Sequence, residues 1–294
     1  MTFFSSIKWA VPGARAFASF TDLSAHAQAL REAVDFIIER RDLILAMTRR
    51  EIASRYAGQA LGAFWAIGHP LFQMGLLVFV FGVVFQQRIG GTHELPRDYT
   101  IYILSGLGGW LSLSPVLSTA ATSISSNANL IKQFTFDARV LPVKDVAVHL
   151  VIWIVAIGLV ALYTLIRDQS LPWTYFLLPF VGALHVLTAT GFAWALAAIG
   201  VFFRDMKDIV TLVNTGMVYV LPIVYLPAWV PSLFKPIIYL NPLSSLIWVY
   251  QDVLYFGRIE HPLAWVVATV FALFAFTAGY RLFRRLRPMF GSAL

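Results

Sequence analysis

The sequence predicts an all-α membrane protein with six transmembrane helices, an N-terminal amphipathic interface helix, and short re-entrant helices between spans five and six. Three observations carry that prediction. First, 59% of the 294 residues are hydrophobic and 13% charged, with a mean hydropathy of +0.74, whereas about a quarter of a soluble domain is charged. Second, six stretches stay apolar for the roughly 20 residues that a helix needs to cross a bilayer. Third, Lys and Arg gather on alternate connections between those stretches, as they do around membrane spans.

At the N-terminus, MTFFSSIKWAVPGARAF has no continuous apolar run ahead of a small-residue cleavage site, so no cleavable signal peptide is expected. Within an extension over residues 1–40, SAHAQALREAVDFIIER places Leu30, Val34, Ile37 and Ile38 at helical spacing, with Thr21, Asp22 or Ser24 as cap. This reads as a surface helix. RDLILAMTRREIASRYAGQ follows; as a helix it sets Leu45, Ile52 and Tyr56 on one side and Arg50, Glu51 and Ser54 on the other, with Arg49 and Arg55 adding charge. That pattern suits an interfacial helix.

The six candidate spans are 61–86, 99–124, 146–166, 173–203, 209–226 and 262–282. The fourth is long enough to tilt or kink. Between the fifth and sixth, an apolar segment is interrupted by Pro227, Pro231, Pro236 and Pro242. Proline removes ladder hydrogen bonds that lipid does not replace, so short re-entrant helices fit better than a seventh span. Of the 22 Lys and Arg, 17 lie in the N-terminal region, after span two (Lys132, Arg139, Lys144), after span four (Arg204, Lys207) and at the C-terminus. The positive-inside rule then makes both termini cytoplasmic. This placement accounts for the net charge of +7 without nucleic acid.

The sequence also limits the chemistry. Without cysteine there are no disulfides and no thiolate chemistry. Apart from Arg281 at the very end of the sixth, the six spans contain no Asp, Glu, Lys or Arg, and their histidines are His69, His149 and His185. A lone intramembrane histidine more often bonds between helices than binds metal, so neither a metal site nor ion coupling is expected. No G-x-x-x-x-G-K-[ST] phosphate loop and no catalytic triad or paired carboxylate stands out. Asp98, Glu94, His93 and Arg97 read as a solvated hairpin. The chain is expected not to be an enzyme and to draw its energy from a cytoplasmic partner. The segment SSNANLIKQF, with FTFDARVLP overlapping its end, is the candidate handle: Asn127 or Asn129 caps a short helix, and Phe134, Phe136 and Arg139 suit a partner's groove.

From Arg41 onward the sequence resembles the type-2 ABC exporter permeases of the polysaccharide group. The resemblance is carried, in order, by RYAGQALGAFWAIGHPLFQ, VFVFGVVF, YILSGLGGW, SSNANLIKQF, ARVLP, FFRDMKDIV and YLNPLSSLI. The O-antigen type is most similar, with capsule and teichoic acid permeases as near relatives and drug or lipid exporters as the alternative. The resemblance implies an ABC-2 type transmembrane domain over 41–294 and a homodimer of this chain in the bacterial inner membrane. It implies two copies of a separate ATPase carrying ATP and Mg, no cofactor in this chain, and a lipid-linked polysaccharide as substrate.

It further implies that Asn127, Asn129, Leu130, Lys132, Phe134, Phe136 and Arg139 couple to that ATPase, beside an interface helix bearing Arg49, Arg50, Glu51 and Arg55. Sugar polymers slide on aromatic faces and exchangeable hydrogen bonds. Tyr56, Trp65, Phe72, Tyr102, Trp110, Tyr219 and Tyr225 are accordingly expected on the path, and Arg55 or Arg50 at a diphosphate headgroup. Three departures from the pattern stand out: Asp137 and Ala138 ahead of Arg139, Gly108 and Gly109 ahead of Trp110, and Leu221 ahead of Pro222.

Overall fold

The computed structural model describes residues 22–55, 57–84, 97–132 and 136–294. All regular structure among them is helical. Helix α1 (Leu23–Glu39) begins at Asp22, whose carboxylate accepts from the backbone N–H groups of Ser24 and Ala25. The Ser24 hydroxyl, which donates to the same carboxylate at 2.7 Å, and these backbone groups hold the Asp22 carboxyl below its ordinary pKa. The buried face of α1 is Ala29, Ala33 and Phe36, while Val34 and Ile38 are exposed. The inward face is therefore turned from the predicted Leu30–Val34–Ile37–Ile38 stripe, because two alanines permit a closer helix contact than branched side chains do.

Helix α2 (Arg41–Arg55) also differs from its expected facing. It buries Ile44 and Thr48 and exposes Leu45, because its inward side meets a polar cluster on α6, described below. Helix α3 (Trp65–Leu77) runs into a π-helical turn, Val78–Val84. Among the described residues, four helices are long and apolar enough to cross a membrane: α4 (Tyr99–Ser123), α6 (Val140–Asp168), α7 (Leu178–Gly200, with the preceding turn Trp173–Leu177), and α11 (Pro262–Leu286, with its short C-terminal continuation). Against the predicted six spans, the stretch at 61–86 yields an apolar helix of 10–17 residues, Trp65–Phe81. That at 209–226 yields the 15-residue α8 (Met206–Val220). The short α5 (Ala128–Ile131) lies between α4 and α6.

α4 sits at the centre, 83% of its most apolar window buried, packed between α6 and α7, while α11 packs on α7 and on the helix Pro242–Gln251; α6, α7 and α11 keep more of their surface free. Close approach rests on glycine. The α-carbon of Gly279 on α11 faces the backbone of Gly191 on α7, and Gly200 faces Ala121 on α4. Gly109 lets the Tyr250 ring lie against α4 and Gly108 faces Ile157, so the Gly108–Gly109 pair permits close packing there.

After α8 the chain breaks at Leu221–Pro222. Freed carbonyls in an apolar medium need donors. Gln251 donates to Pro222 O (2.7 Å), Tyr102 to Tyr225 O (3.1 Å) and Tyr99 to Val224 O. These side chains support the kink that Leu221 does not. The proline-rich segment then folds into α9 (Lys235–Tyr239) and α10 (Pro242–Gln251), which continues as a π-helical turn, Asp252–Phe256. Asp252, fully buried, accepts from His261 N and Trp265 Nε1 and lies 2.7 Å from His261 Nδ1. This fastens the segment to α11.

At the same end, Arg97 pairs with Asp168 and Asp98 with Arg167, while Asp98 caps α4. The expected solvated hairpin is thus, for Arg97 and Asp98, an ion-paired junction of α4 and α6; residues 93 and 94 lie outside the described residues.

Candidate translocation and coupling sites

Two sites stand out, one reaching into the bundle beside the basic end of α2 and one at a basic connection. The first is a cavity of about 610 Å³ bounded by the end of α2, α3, α4 and α6. Its polar lining is Arg55, Gln59, His69 and Gln73, and its apolar lining includes Trp65, Leu111, Pro115 and Ile152. Spacing explains the convergence: Trp65, His69 and Gln73 recur every four residues and so share one face of α3. The Trp65 and His69 rings lie 5.5 Å apart. Gln59 Nε2 donates to Arg55 O, 3.1 Å. His69, Gln59 and Gln73 were not among the predicted path residues, though the i, i+4 series from Trp65 is visible in the sequence.

Behind the cavity lies a buried polar cluster that span boundaries beginning at 146 had left outside the bundle. Helix α6 starts at Val140, carrying Lys144 and Asp145 inward at 6% and 3% exposure. Lys144 Nζ is 2.8 Å from Asp145 Oδ1 and 3.4 Å from Glu51 Oε2. His149 Nδ1 lies 2.7 Å from Asp145 O, and Arg55 Nη2 is 3.5 Å from His149 Nε2. Glu51 and Arg55 of the predicted interface helix therefore face this cluster, whereas Arg49 and Arg50 are exposed. Of the other span histidines, His185 on α7 meets Ser112 on α4 at 2.9 Å.

The predicted path residues separate. Phe72 and Tyr219 are 70% and 61% exposed, and Trp65 is open to the cavity. Tyr225 is half-buried, its hydroxyl donating to Val220 O. Tyr102 and Trp110 are 1% and 4% exposed and belong to the core; Tyr102 spends its hydroxyl on the break after α8, so neither offers a surface to a moving polymer. Tyr56 lies outside the described residues.

The second site is the bend between α4 and α6. Asn127 does not cap the short helix that follows it: its Nδ2 donates back to Ser123 O at 2.9 Å, closing the end of α4. Asn129 and Lys132 are exposed, Leu130 and Phe136 half-buried, and Phe134 lies outside the described residues. Lys132 Nζ reaches Leu294 O at 3.4 Å.

Arg139 points inward. It forms a fork with Asp137 (2.6–3.2 Å), donates to Tyr280 Oη at 2.9 Å, and stacks over the Phe36 ring at 4.2 Å. Burial pushes the Asp137 carboxyl up, but the hydrogen bonds and charge of Arg139, with Arg287 nearby, hold it below 3.8. The Asp137–Ala138–Arg139 departure is thus a closed clamp, and Arg139 is no free contact for a partner.

A helical bundle with four bilayer-length apolar helices among the described residues, and a partly polar cleft between them, marks an integral membrane protein. The chain belongs to the ABC-2 type transporter family, whose model matches residues 42–255. It is 26% identical over 222 residues to an O-antigen export system permease protein RfbA of Klebsiella pneumoniae, covering 75% of this chain and 83% of that one. A protein of the same description from Myxococcus xanthus is 28% identical over 225 residues, 76% and 84% of the two chains. The polysialic acid transport protein KpsM of Escherichia coli is 20% identical over 247 residues, 81% and 91% of the two.

Proposed function

We propose that this chain is the membrane subunit of an ATP-driven exporter of lipid-linked polysaccharide of the O-antigen type. The observation that carries the reading is its alignment over three-quarters of its length with proteins described as O-antigen export permeases. The similarity to a polysialic acid transporter favours capsule polymer as the second reading. In the first, two copies of the chain form the path in the inner membrane, both termini cytoplasmic, with the first and fifth apolar stretches as part of the six-span layout. Two copies of a separate ATPase seat on the bend at residues 125–136.

Arg55 is the basic residue of the cavity, and its guanidinium fork suits the phosphate oxygens of a lipid-linked headgroup. Gln59, His69 and Gln73 supply exchangeable hydrogen bonds to sugar hydroxyls, and Trp65 an apolar face. ATP-driven closure of the ATPases acts on the bend and shifts the helices around the cleft, a switch that needs different contacts in its two states. The test is vesicle transport by the chain co-purified with its ATPase. ATP-dependent movement of lipid-linked polymer, and none of small amphiphiles, is the expected result; the reverse preference makes it a drug or lipid exporter.

A further inference from the structure

Helix α1 lies outside the stretch that matches the family model, as does α11, yet the two meet at the coupling bend. Ala29, Ala33 and Phe36 are 0–4% exposed, and they belong to one apolar cluster with Ala138 of the bend and Tyr280 and Phe283 of α11. Polar contacts fix the register along α11: His26 Nδ1 lies 2.6 Å from Thr277 Oγ1, and Glu32 pairs with Arg284. At the far end of α1, the Phe36 ring receives the Arg139 guanidinium. That same guanidinium holds Asp137 and Tyr280. The backbone carbonyl of Arg139 accepts from Trp194 Nε1 of α7 at 3.2 Å, and Arg287 approaches Asp137 at 3.5 Å.

One side chain therefore joins the bend to α1 and α11, and the backbone carbonyl of the same residue ties it to α7. A guanidinium uses its planar face on the aromatic ring and its edge on carboxylate and hydroxyl, so all three contacts are held at once. Lysine has no such face. Any displacement of the bend must either break the fork, the ring contact and the Tyr280 bond together, or carry α1 and α11 with it. Small residues at Ala29 and Ala33 favour the second, because interdigitated close packing resists sliding.

We infer that α1 is a working part of the coupling machinery: Phe36 and Arg139 are positioning residues that make the bend, α1 and the cytoplasmic half of α11 move as one body. This rests on the reading of the bend as the ATPase contact. It assigns the N-terminal helix a role in transmission, where a merely structural helix would affect only yield.

The test uses the full chain assembled with its ATPase in proteoliposomes, reading polymer exported per ATP hydrolysed. Phe36→Leu keeps the apolar filling and removes the ring face; it lowers that ratio several-fold while co-purification with the ATPase is unchanged, and Phe36→Trp restores it. Because the chain has no cysteine, Glu32→Cys with Arg284→Cys allows α1 to be joined to α11 by a bismaleimide. The joined protein keeps its transport if the two move together. An unchanged ratio in Phe36→Leu, or loss of transport on cross-linking with transport intact before it, overturns the inference. Phe136→Ala separates the two levels: if it leaves the ratio unchanged, the bend itself is not the ATPase contact.

Discussion

At Arg55 and Arg50 the two basic residues look equivalent on paper, five apart on one helix, and only the direction of the inward face of α2 tells them apart. Arg55 lines the cavity and Arg50 is exposed. Arg55→Gln is therefore expected to reduce polymer export by about tenfold, the loss of one charge-assisted bond of roughly 1.4 kcal/mol or more. Arg50→Gln should leave it within about twofold; initial rates in vesicles separate the two. Arg139 was legible as a basic residue of the bend but not as a clamp, since nothing in FDARV reveals that Phe36 and Tyr280, more than a hundred residues away on either side, converge on it.

The clamp has a pH signature. The folded-state pKa of Asp137 is depressed, so its contribution is present above the ordinary carboxylate value of 3.8 and is lost as pH falls below it. Asp137→Asn is expected to cost about 2 kcal/mol at neutral pH and to lower Tm in detergent. That difference from the unaltered chain should shrink below pH 3.8; a difference that persists there would assign the loss to packing alone.

Among the elements, the long helices were the most legible, because apolar length is a property each segment carries by itself. The helices beginning at Tyr99 and Pro262 start where the apolar runs do. Facing was less legible. Branched residues outnumber alanines on α1, yet it is Ala29 and Ala33, with Phe36, that are buried, since contact distance depends on the neighbouring helix. Glycines show the same dependence: nothing in the sequence separates Gly191 and Gly279 from Gly158, which has open space beside it, until the partner helix is in place. Gly279→Val is accordingly expected to destabilise the α7–α11 pair by about 1–3 kcal/mol through overpacking, whereas Gly158→Ala should be neutral or slightly stabilising on helix propensity. Thermal unfolding of both variants in the same detergent checks the contrast. The irregular stretch 221–261 was legible as broken helix from its prolines, while Asp252 and Gln251, which hold it in place, were hidden in an apolar run.

For the molecule as a whole, the question is where free energy enters. Lys144 and Asp145 are buried, so charge does reach into the bundle, but the two are paired with each other and with Glu51. They sit at the end of α6 nearest the basic connections, instead of midway along it where coupling-ion sites are placed. Separating such a pair leaves an uncompensated buried charge, at a cost of about 3–5 kcal/mol, which makes it a poor carrier that must release its ion each cycle. The polar bend, by contrast, is accessible from outside and connects through Arg139 to α1, α7 and α11. Force applied there has a rigid route into the bundle. Reconstituted alone in vesicles, the chain is expected to move no polymer under a proton or sodium gradient of either direction; with its ATPase and ATP it moves polymer, and dissipating the gradients leaves the rate unchanged. Gradient-driven movement by the chain alone would place the energy input at Lys144 and Asp145 and remove the coupling role from the bend.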